Sequence, residues 1–275
     1  ARNHGVLTSA ADVAYDAPKP VTRTFDADVY KKRVYFGVGK PQPEHELKFG
    51  PNIAEWPPIP ALADNLLMQV ASVLRDPVTT TDELIPSGET SSYRSNPLKL
   101  ASFALSRRDP DYVPRARATQ ALEETRRSGA MPPELQSVQN ILSIPDMGRV
   151  QIGSVLFANK PGDGSAREQA ASCQRVLGGC ANLCYEFATK RYRSNCINWG
   201  MLPFLVENPG ALDNGDYVYL PGVRKALLEA ADELDAVAVK PDGGVVRFTV
   251  SLGAMTDAER QILADGCLIN YYKNN

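Results

Sequence analysis

The stretch best equipped for chemistry is Gly162-Asp-Gly-Ser-Ala-Arg-Glu168. Its two glycines permit a tight turn and close approach of a ligand to the backbone. The pattern places it after a strand and at the start of a helix, where unpaired N–H groups and the positive end of the helix dipole favour an anion. Arg167 adds a fork of donors that matches a carboxylate. Ser165 sets a hydroxyl at the mouth of that anion site, where Arg167 and backbone N–H groups would stabilise its alkoxide as a general base. A dinucleotide fingerprint needs a third glycine where Arg167 stands, and a P-loop needs a Gly-Lys-Ser/Thr that is absent. A tight strand-to-helix turn capped by Ser165 explains the loop equally well on its shape alone.

Two further stretches are polar or punctuated. Thr79-Thr-Thr-Asp82, continuing through Gly88 to Tyr93-Arg94-Ser-Asn96, surrounds one arginine with hydroxyls and amides. By itself it reads as a polar loop ending in a helix cap. Asn195 through Gly200-Met-Leu-Pro-Phe204 reads as a helix stop leading into a buried strand, which is a packing role. The basic run Lys190-Arg-Tyr-Arg193 reads as a solvated helix face, with RNA contact as the other use.

The five cysteines are Cys173, Cys180, Cys184, Cys196 and Cys267, and the first four are separated by six, three and eleven residues. Neither zinc ribbons nor ferredoxin-type clusters use those spacings, and His4 and His45 lie far away in sequence. No metal site is expected from this chain, and the thiols read as small core hydrophobes. An odd number of cysteines with no secretory signal points to reduced, cytoplasmic thiols.

The elements that must position these groups divide unevenly. Eight of the 21 prolines fall between Pro18 and Pro60, so residues 1–75 are expected to be an extended arm or linker from a preceding domain. Trp56, Ile59, Leu62, Leu66 and Leu67 are expected to dock on a neighbour, and Ala61–Leu74 has helix-like spacing. From residue 76 the pattern is α/β. Helices are expected over 96–107, 112–127, 135–142, 166–176, 187–199 and 227–234. Strands are expected over 149–157, 181–184, 202–206, 236–239 and 245–251, the last two joined by a hairpin turn at Lys240–Gly244. Thr256-Asp-Ala-Glu259 spells a capping box for a final helix.

With 275 residues, 30 basic and 32 acidic, the chain carries a net charge of −2, which argues against a general nucleic-acid backbone binder. Its longest apolar runs, such as Val150–Ala158, fall far short of the roughly 20 residues that span a bilayer, so no membrane contact is expected. The start at Ala1, and the look of Arg2–Val13 as the tail of another domain, lead to the expectation that this is a piece of a longer protein.

Taken in order, the three stretches resemble the C-terminal swivel domain of the aconitase family. That domain carries T-T-D, then an arginine, then a G-[ED]-G-S-S-R-E loop, a G-G and an N-x4-G-[ML]-L-P segment. Here those are Thr80-Thr-Asp82, Arg94, Gly162–Glu168, Gly178-Gly179 and Asn195–Pro203. The similarity covers roughly residues 76–270. The same order resembles the separate small subunits of isopropylmalate isomerases, which are usually shorter.

The resemblance implies an α/β fold of the swivelling β/β/α type over residues 76–275. It implies a hydro-lyase that dehydrates and rehydrates a hydroxy polycarboxylate, such as a tricarboxylate. Ser165 would be the catalytic base. Arg167 and Arg94 would grip substrate carboxylates, with Gly164, Thr81 and Asp82 completing the binding site. The family's [4Fe-4S] cluster would be held by other domains or another subunit, the chain's expected partner, and this chain alone would be inactive and bind no cluster. Ala166 stands where the family has a second serine, and Gln169 where it usually has histidine. Those departures imply a divergent hydratase rather than a housekeeping citrate enzyme.

Overall fold

Leu66, Leu67, Met68, Val70 and Ala71 are all buried, although they are consecutive or nearly so. Only a strand covered on both faces buries neighbours of opposite orientation, and Asn65–Leu74 forms that strand, β1. The helix-like reading of this stretch is thereby corrected. Its half-buried positions, Asn65, Gln69 and Val73, fall four apart and mimic a helical period.

In a computed structural model the described residues are 4–12, 14, 16, 19, 21–33, 37–209 and 212–274. Arg2 and Val13, the ends of the segment read as another domain's tail, lie outside them, as does Pro18. The chain divides into two units, Ala1–Lys48 and Phe49–Asn275. The first holds a short 3-10 turn at Ala10–Asp12 and helix α1, Asp28–Arg33, where Phe25 stacks on Tyr30. The second is the α/β unit. It therefore takes in residues 49–75, which the sequence placed in the arm, because β1 is a central strand.

The remaining strands are β2 (Thr79–Thr80), β3 (Val150–Ala158), β4 (Pro161–Asp163), β5 (Gly179–Cys184), β6 (Leu202–Leu205), β7 (Tyr217–Leu220), β8 (Leu234–Val239) and β9 (Val245–Val250). The helices are α2 (Thr81–Leu84), α3 (Pro97–Ala101), α4 (Tyr112–Arg127), α5 (Pro133–Leu142), α6 (Arg167–Val176), α7 (Lys190–Asn198), α8 (Val223–Leu228), α9 (Asp257–Asp265) and α10 (Leu268–Asn274). Seven strands make one sheet in the order β6-β5-β3-β1-β7-β8-β9. The β6-β5-β3-β1 half is parallel, and β7, β8 and β9 run antiparallel to their neighbours. The sheet curls until its edges meet: Leu205 and Ser251 exchange two backbone hydrogen bonds of 2.7 and 2.9 Å. The expected α/β class is what the chain adopts.

Inside the curl, Leu66, Met68, Val70, Val155, Phe157, Leu183, Phe204, Val218 and Phe248 form the main core. On the outer face, Ala71, Leu74, Leu156 and Ala158 pack against α3, α4, α6 and α7 through Leu100, Tyr112, Ala116, Ala170 and Tyr192. A third cluster joins Leu67 and Ile152 to Leu135 and Val138 of α5.

The proline-rich segment is a strap on this same unit. Trp56 packs on Trp199 in a tilted arrangement, with 4.3 Å between ring centroids and 37° between planes. Pro60 O accepts from Arg175, Ile59 O accepts from Asn270, and Leu62 N–H donates to Ala264 O. Leu62, Leu66 and Leu67, expected to dock on a neighbour, instead enter the chain's own core.

Several element bounds differ from expectation for local reasons. The helix expected over 96–107 stops at Ala101, and Leu105, at φ 55°, donates its N–H to Leu84 O. The helix expected over 227–234 runs over Val223–Leu228 instead and ends before Ala230, at φ 57°, so that Leu234 begins β8. Strand β7 was not expected at all. The Thr256 capping box, the Asn96 cap and the β8–β9 hairpin form as read.

Candidate functional site

Thr80 caps the single turn of α2 through a reciprocal box: its Oγ1 accepts from Glu83 N at 3.2 Å, and Glu83 Oε2 accepts from Thr80 N at 2.7 Å. That box holds Thr81, whose buried Oγ1 accepts the N–H of Ala166 at 3.2 Å. Beside it, β2 and β4 pair with Thr79 opposite Pro161 and Thr80 opposite Asp163. The Thr-Thr-Asp stretch and the glycine loop are thus directly bonded, 85 residues apart in sequence.

The loop is clamped from the other side by α7. Thr189 Oγ1 donates to Gly162 O at 3.0 Å and accepts from Tyr192 N at 3.1 Å, which also caps α7. The Tyr192 ring fills the space where Gly162 would carry a side chain, 2.2 Å from a Cβ placed there. Tyr192 is fully buried, and its hydroxyl donates to Asn182 Oδ1 at 2.7 Å and accepts from Gln174 Nε2 at 2.9 Å. Asn182 Nδ2 closes the ring on Gln174 Oε1 at 2.7 Å. Every polar side-chain group in this network has a partner, which fixes the loop to α6, α7 and β5.

Ser165 is exposed on the held loop. The alternative reading, in which it caps α6, is not what forms: the cap position belongs to Ala166, and no side chain bonds there. The serine hydroxyl is therefore free of a structural task. Arg167 is the first residue of α6, and its Nε is buried without a partner. Ser165, Arg167, Glu168, Lys190, Arg191, Ser194 and Asn195 line one open cleft of about 360 Å³. Burial pushes the Glu168 carboxyl above its ordinary range, opposed by hydrogen bonds from Ser172 and Trp199. The cleft thus combines a hydroxyl and three cations with a single carboxyl, an excess of positive charge that suits it to an anionic ligand.

The other expected site residues are placed differently. Gly164, at φ 125°, is exposed beside Thr81. Asp82 is exposed and pairs with Arg107 at 2.5 Å, and Arg107 also holds Glu89. Arg94 is exposed on the turn before α3, bonded among the described residues only to Ser87 O at 3.5 Å, and does not line the cleft. The structure therefore brings Ser165 and Arg167 together in the cleft and Thr81 and Gly164 together in the loop that supports it, while Thr81, Gly164, Asp82 and Arg94 do not line the cleft.

The sequence missed Lys190 and Arg191 as cleft residues. The run Lys190–Arg193 is not one solvated face: Tyr192 is core, and Arg193 donates to the carbonyls of Leu252 and Ala254 at 2.7 and 3.0 Å. Only Lys190 and Arg191 remain exposed. The signal for them was the cap at Thr189, which fixes where α7 starts and which residues its first turn presents.

All five cysteines are buried and unpaired with one another. Burial raises the thiols of Cys173, Cys180 and Cys184 and pushes that of Cys196 up to about 12. Among the described residues no group of three His, Cys, Asp or Glu side chains is placed to hold a metal ion. These thiols do not fit an iron–sulfur cluster. Among the described residues, no helix is long and apolar enough to cross a membrane.

No family model matches the chain, and no curated protein matches it. Among solved structures, the chain is similar to a crystal structure of 3-isopropylmalate dehydratase from Methanocaldococcus jannaschii. The sequence identity is 20%, the TM-score is 0.45, and the similarity covers 76% of this chain and 94% of that one.

Proposed function

We propose that this chain is the swivel-type part of an aconitase-like hydro-lyase, in which Ser165 is the base and Arg167 grips a carboxylate of a hydroxy polycarboxylate. One observation carries the reading. The Ser165 hydroxyl, released from capping by Ala166, shares a cleft with an arginine whose buried Nε has no protein partner.

The chemistry follows from that arrangement. A carboxylate held by Arg167 acidifies the carbon beside it, and the carbon-bound proton passes to the Ser165 oxygen. Hydroxide leaves the neighbouring carbon, and rehydration runs the same steps backwards. A serine oxygen is a weak base that becomes useful when its anionic form is stabilised, which nearby cations and the N-terminus of α6 provide. The departing hydroxyl needs an acceptor, and among the described residues no group of side chains is placed to hold a metal ion that would take it. The reading accordingly requires a partner domain or subunit that holds a [4Fe-4S] cluster. Arg94 is assigned to a second substrate carboxylate, with its exposed guanidinium nearly unengaged. Thr81, Gly164 and Asp82 are assigned to shaping the binding loop. Nucleic acid is disfavoured, because the basic run is split between core, carbonyl contacts and the cleft.

The test is turnover of hydroxy tri- and dicarboxylates by the chain combined with its cluster-bearing partner. Ser165→Ala is expected to lower kcat by roughly 10²–10⁴-fold with KM little changed, and Arg167→Lys to raise KM. Undiminished turnover by the Ser165→Ala protein overturns the reading. Turnover of isopropylmalate in preference to a tricarboxylate would assign the isopropylmalate-isomerase type of small subunit.

A further inference from the structure

Three cations line the cleft, and among the described residues none of them is held in an ion pair. Arg167 stands in the first turn of α6, and Lys190 and Arg191 stand in the first turn of α7. Cations are disfavoured at that end of a helix, because the dipole there is already positive. Elsewhere this chain pairs its arginines readily, as Arg107, Arg108, Arg115 and Arg126 show. Among the described residues, no carboxylate lies within ion-pair distance of Arg167, Lys190 or Arg191. The one acid lining the cleft, Glu168, forms no ion pair with any of the three. Ser194 and Asn195, which complete the wall, are neutral. Arg193, two residues on, shows what a structural arginine does here: it satisfies carbonyls. Lys190 and Arg191 have no such task.

We infer that Lys190 and Arg191 are specificity-determining residues that form, beside Arg167, a second anion locus within this cleft, separate from the carboxylate assigned to Arg94, which lies outside it. They take a carboxylate of the substrate remote from the one that Arg167 holds. The inference rests on the hydro-lyase reading and sharpens it. The cleft selects molecules carrying at least two carboxylates, and it does so with the first turn of α7 rather than with the glycine loop alone. Removing the two charges also relieves an unfavourable interaction with the α7 dipole, so selectivity and helix stability pull in opposite directions.

The experiment is an NMR titration of the full chain, at fixed ionic strength, with tricarballylate, butyrate and inorganic phosphate. The wild-type chain is expected to bind tricarballylate at least ~10-fold more tightly than butyrate, since each tenfold corresponds to one added charge-assisted contact. The Lys190→Gln/Arg191→Gln chain is expected to lose that preference while keeping its butyrate affinity, and to melt at or above the wild-type temperature. Arg167→Gln is expected to weaken both carboxylates. Three results overturn the inference: an unchanged tricarballylate affinity in the double variant, no tricarballylate binding by the wild type, or phosphate bound as tightly as tricarballylate through the same pair. None of these touches the Ser165→Ala turnover test, so the reaction and the locus stand or fall separately.

Discussion

The hydroxyl of Thr81 occupies the space that a side chain at Gly164 would need: a Cβ there would lie 2.3 Å from Thr81 Oγ1. The same oxygen accepts the N–H of Ala166, so one threonine both requires a glycine and positions the residue after Ser165. Gly164→Ala is expected to destabilise the fold by about 1–3 kcal/mol, from the clash and from φ 125° together. Adding Thr81→Ala should return the steric part and leave the backbone part. Urea unfolding of the four proteins gives the coupling, and simple additivity of the two losses would refute the contact.

Tyr192 is expected to behave as more than a packed ring. Replacing it with Phe keeps the ring against Gly162 but removes the hydroxyl donor to Asn182 Oδ1 and leaves Gln174 Nε2 with only its bond to Ala170 O in the core. The cost of such orphaned groups is about 1–3 kcal/mol. A chemical-denaturation difference below about 0.5 kcal/mol would show that the network relaxes without the hydroxyl.

Glu168 gives a pH dependence of defined sign. Its folded pKa is raised above 4.5, chiefly by burial, so the folded state holds a proton that the unfolded state has already released. Stability from this group is full below the unfolded value and is lost as pH rises through the folded one. Glu168→Gln should therefore gain on the wild type as pH rises from 4 to 7. Thermal melts across that range check it, and a gap that widens on acidification instead would contradict the burial argument.

The five thiols should be inert in the folded chain, because all five are buried and burial raises the pKa of Cys173, Cys180, Cys184 and Cys196, which suppresses the reactive thiolate. An aromatic disulfide reagent at neutral pH is expected to label all five in urea and none promptly in buffer. A single fast thiol under native conditions would show that one of Cys173, Cys180, Cys184, Cys196 or Cys267 reaches solvent.

How much of this was legible in the residues depends on whether the deciding interaction is local. Thr256-Asp-Ala-Glu259 announces its own cap, and α4 occupies Tyr112–Arg127 as its spacing predicts. Asn65–Leu74 misleads because both faces of β1 are covered, and that covering is supplied by distant helices. Tyr217–Leu220 carries a short strand signal, β-branched and aromatic residues between Gly215-Asp216 and Pro221-Gly222, too brief to stand out without its partners β1 and β8. At the site, the link between the Thr-Thr-Asp stretch and the glycine loop was anticipated only as shared order along the chain. Its physical form, a Thr81 hydroxyl on a backbone N–H, depends on pairing between β2 and β4. The capping role offered to Ser165 was the natural local guess, and the helix instead starts one residue later. Lys190 and Arg191 were hidden because four adjacent residues looked alike in sequence and are divided among three environments in space.

The strap that ends at Pro60 meets Gly266, where a Cβ would lie 2.3 Å from Pro60 O, and Gly266 O in turn leaves 1.6 Å for a Cβ at Gly200. Three backbone segments remote in sequence are stacked with nothing between them. Contacts of this kind have no interchangeable parts: a side chain can be traded for another of like volume, but a missing one can only stay missing. The consequence is evolutionary as much as structural. Gly200 and Gly266 should resist drift more stubbornly than any apolar core position. Any engineered version of this unit must keep the strap, since trimming the chain to its first strand would leave bare backbone facing water.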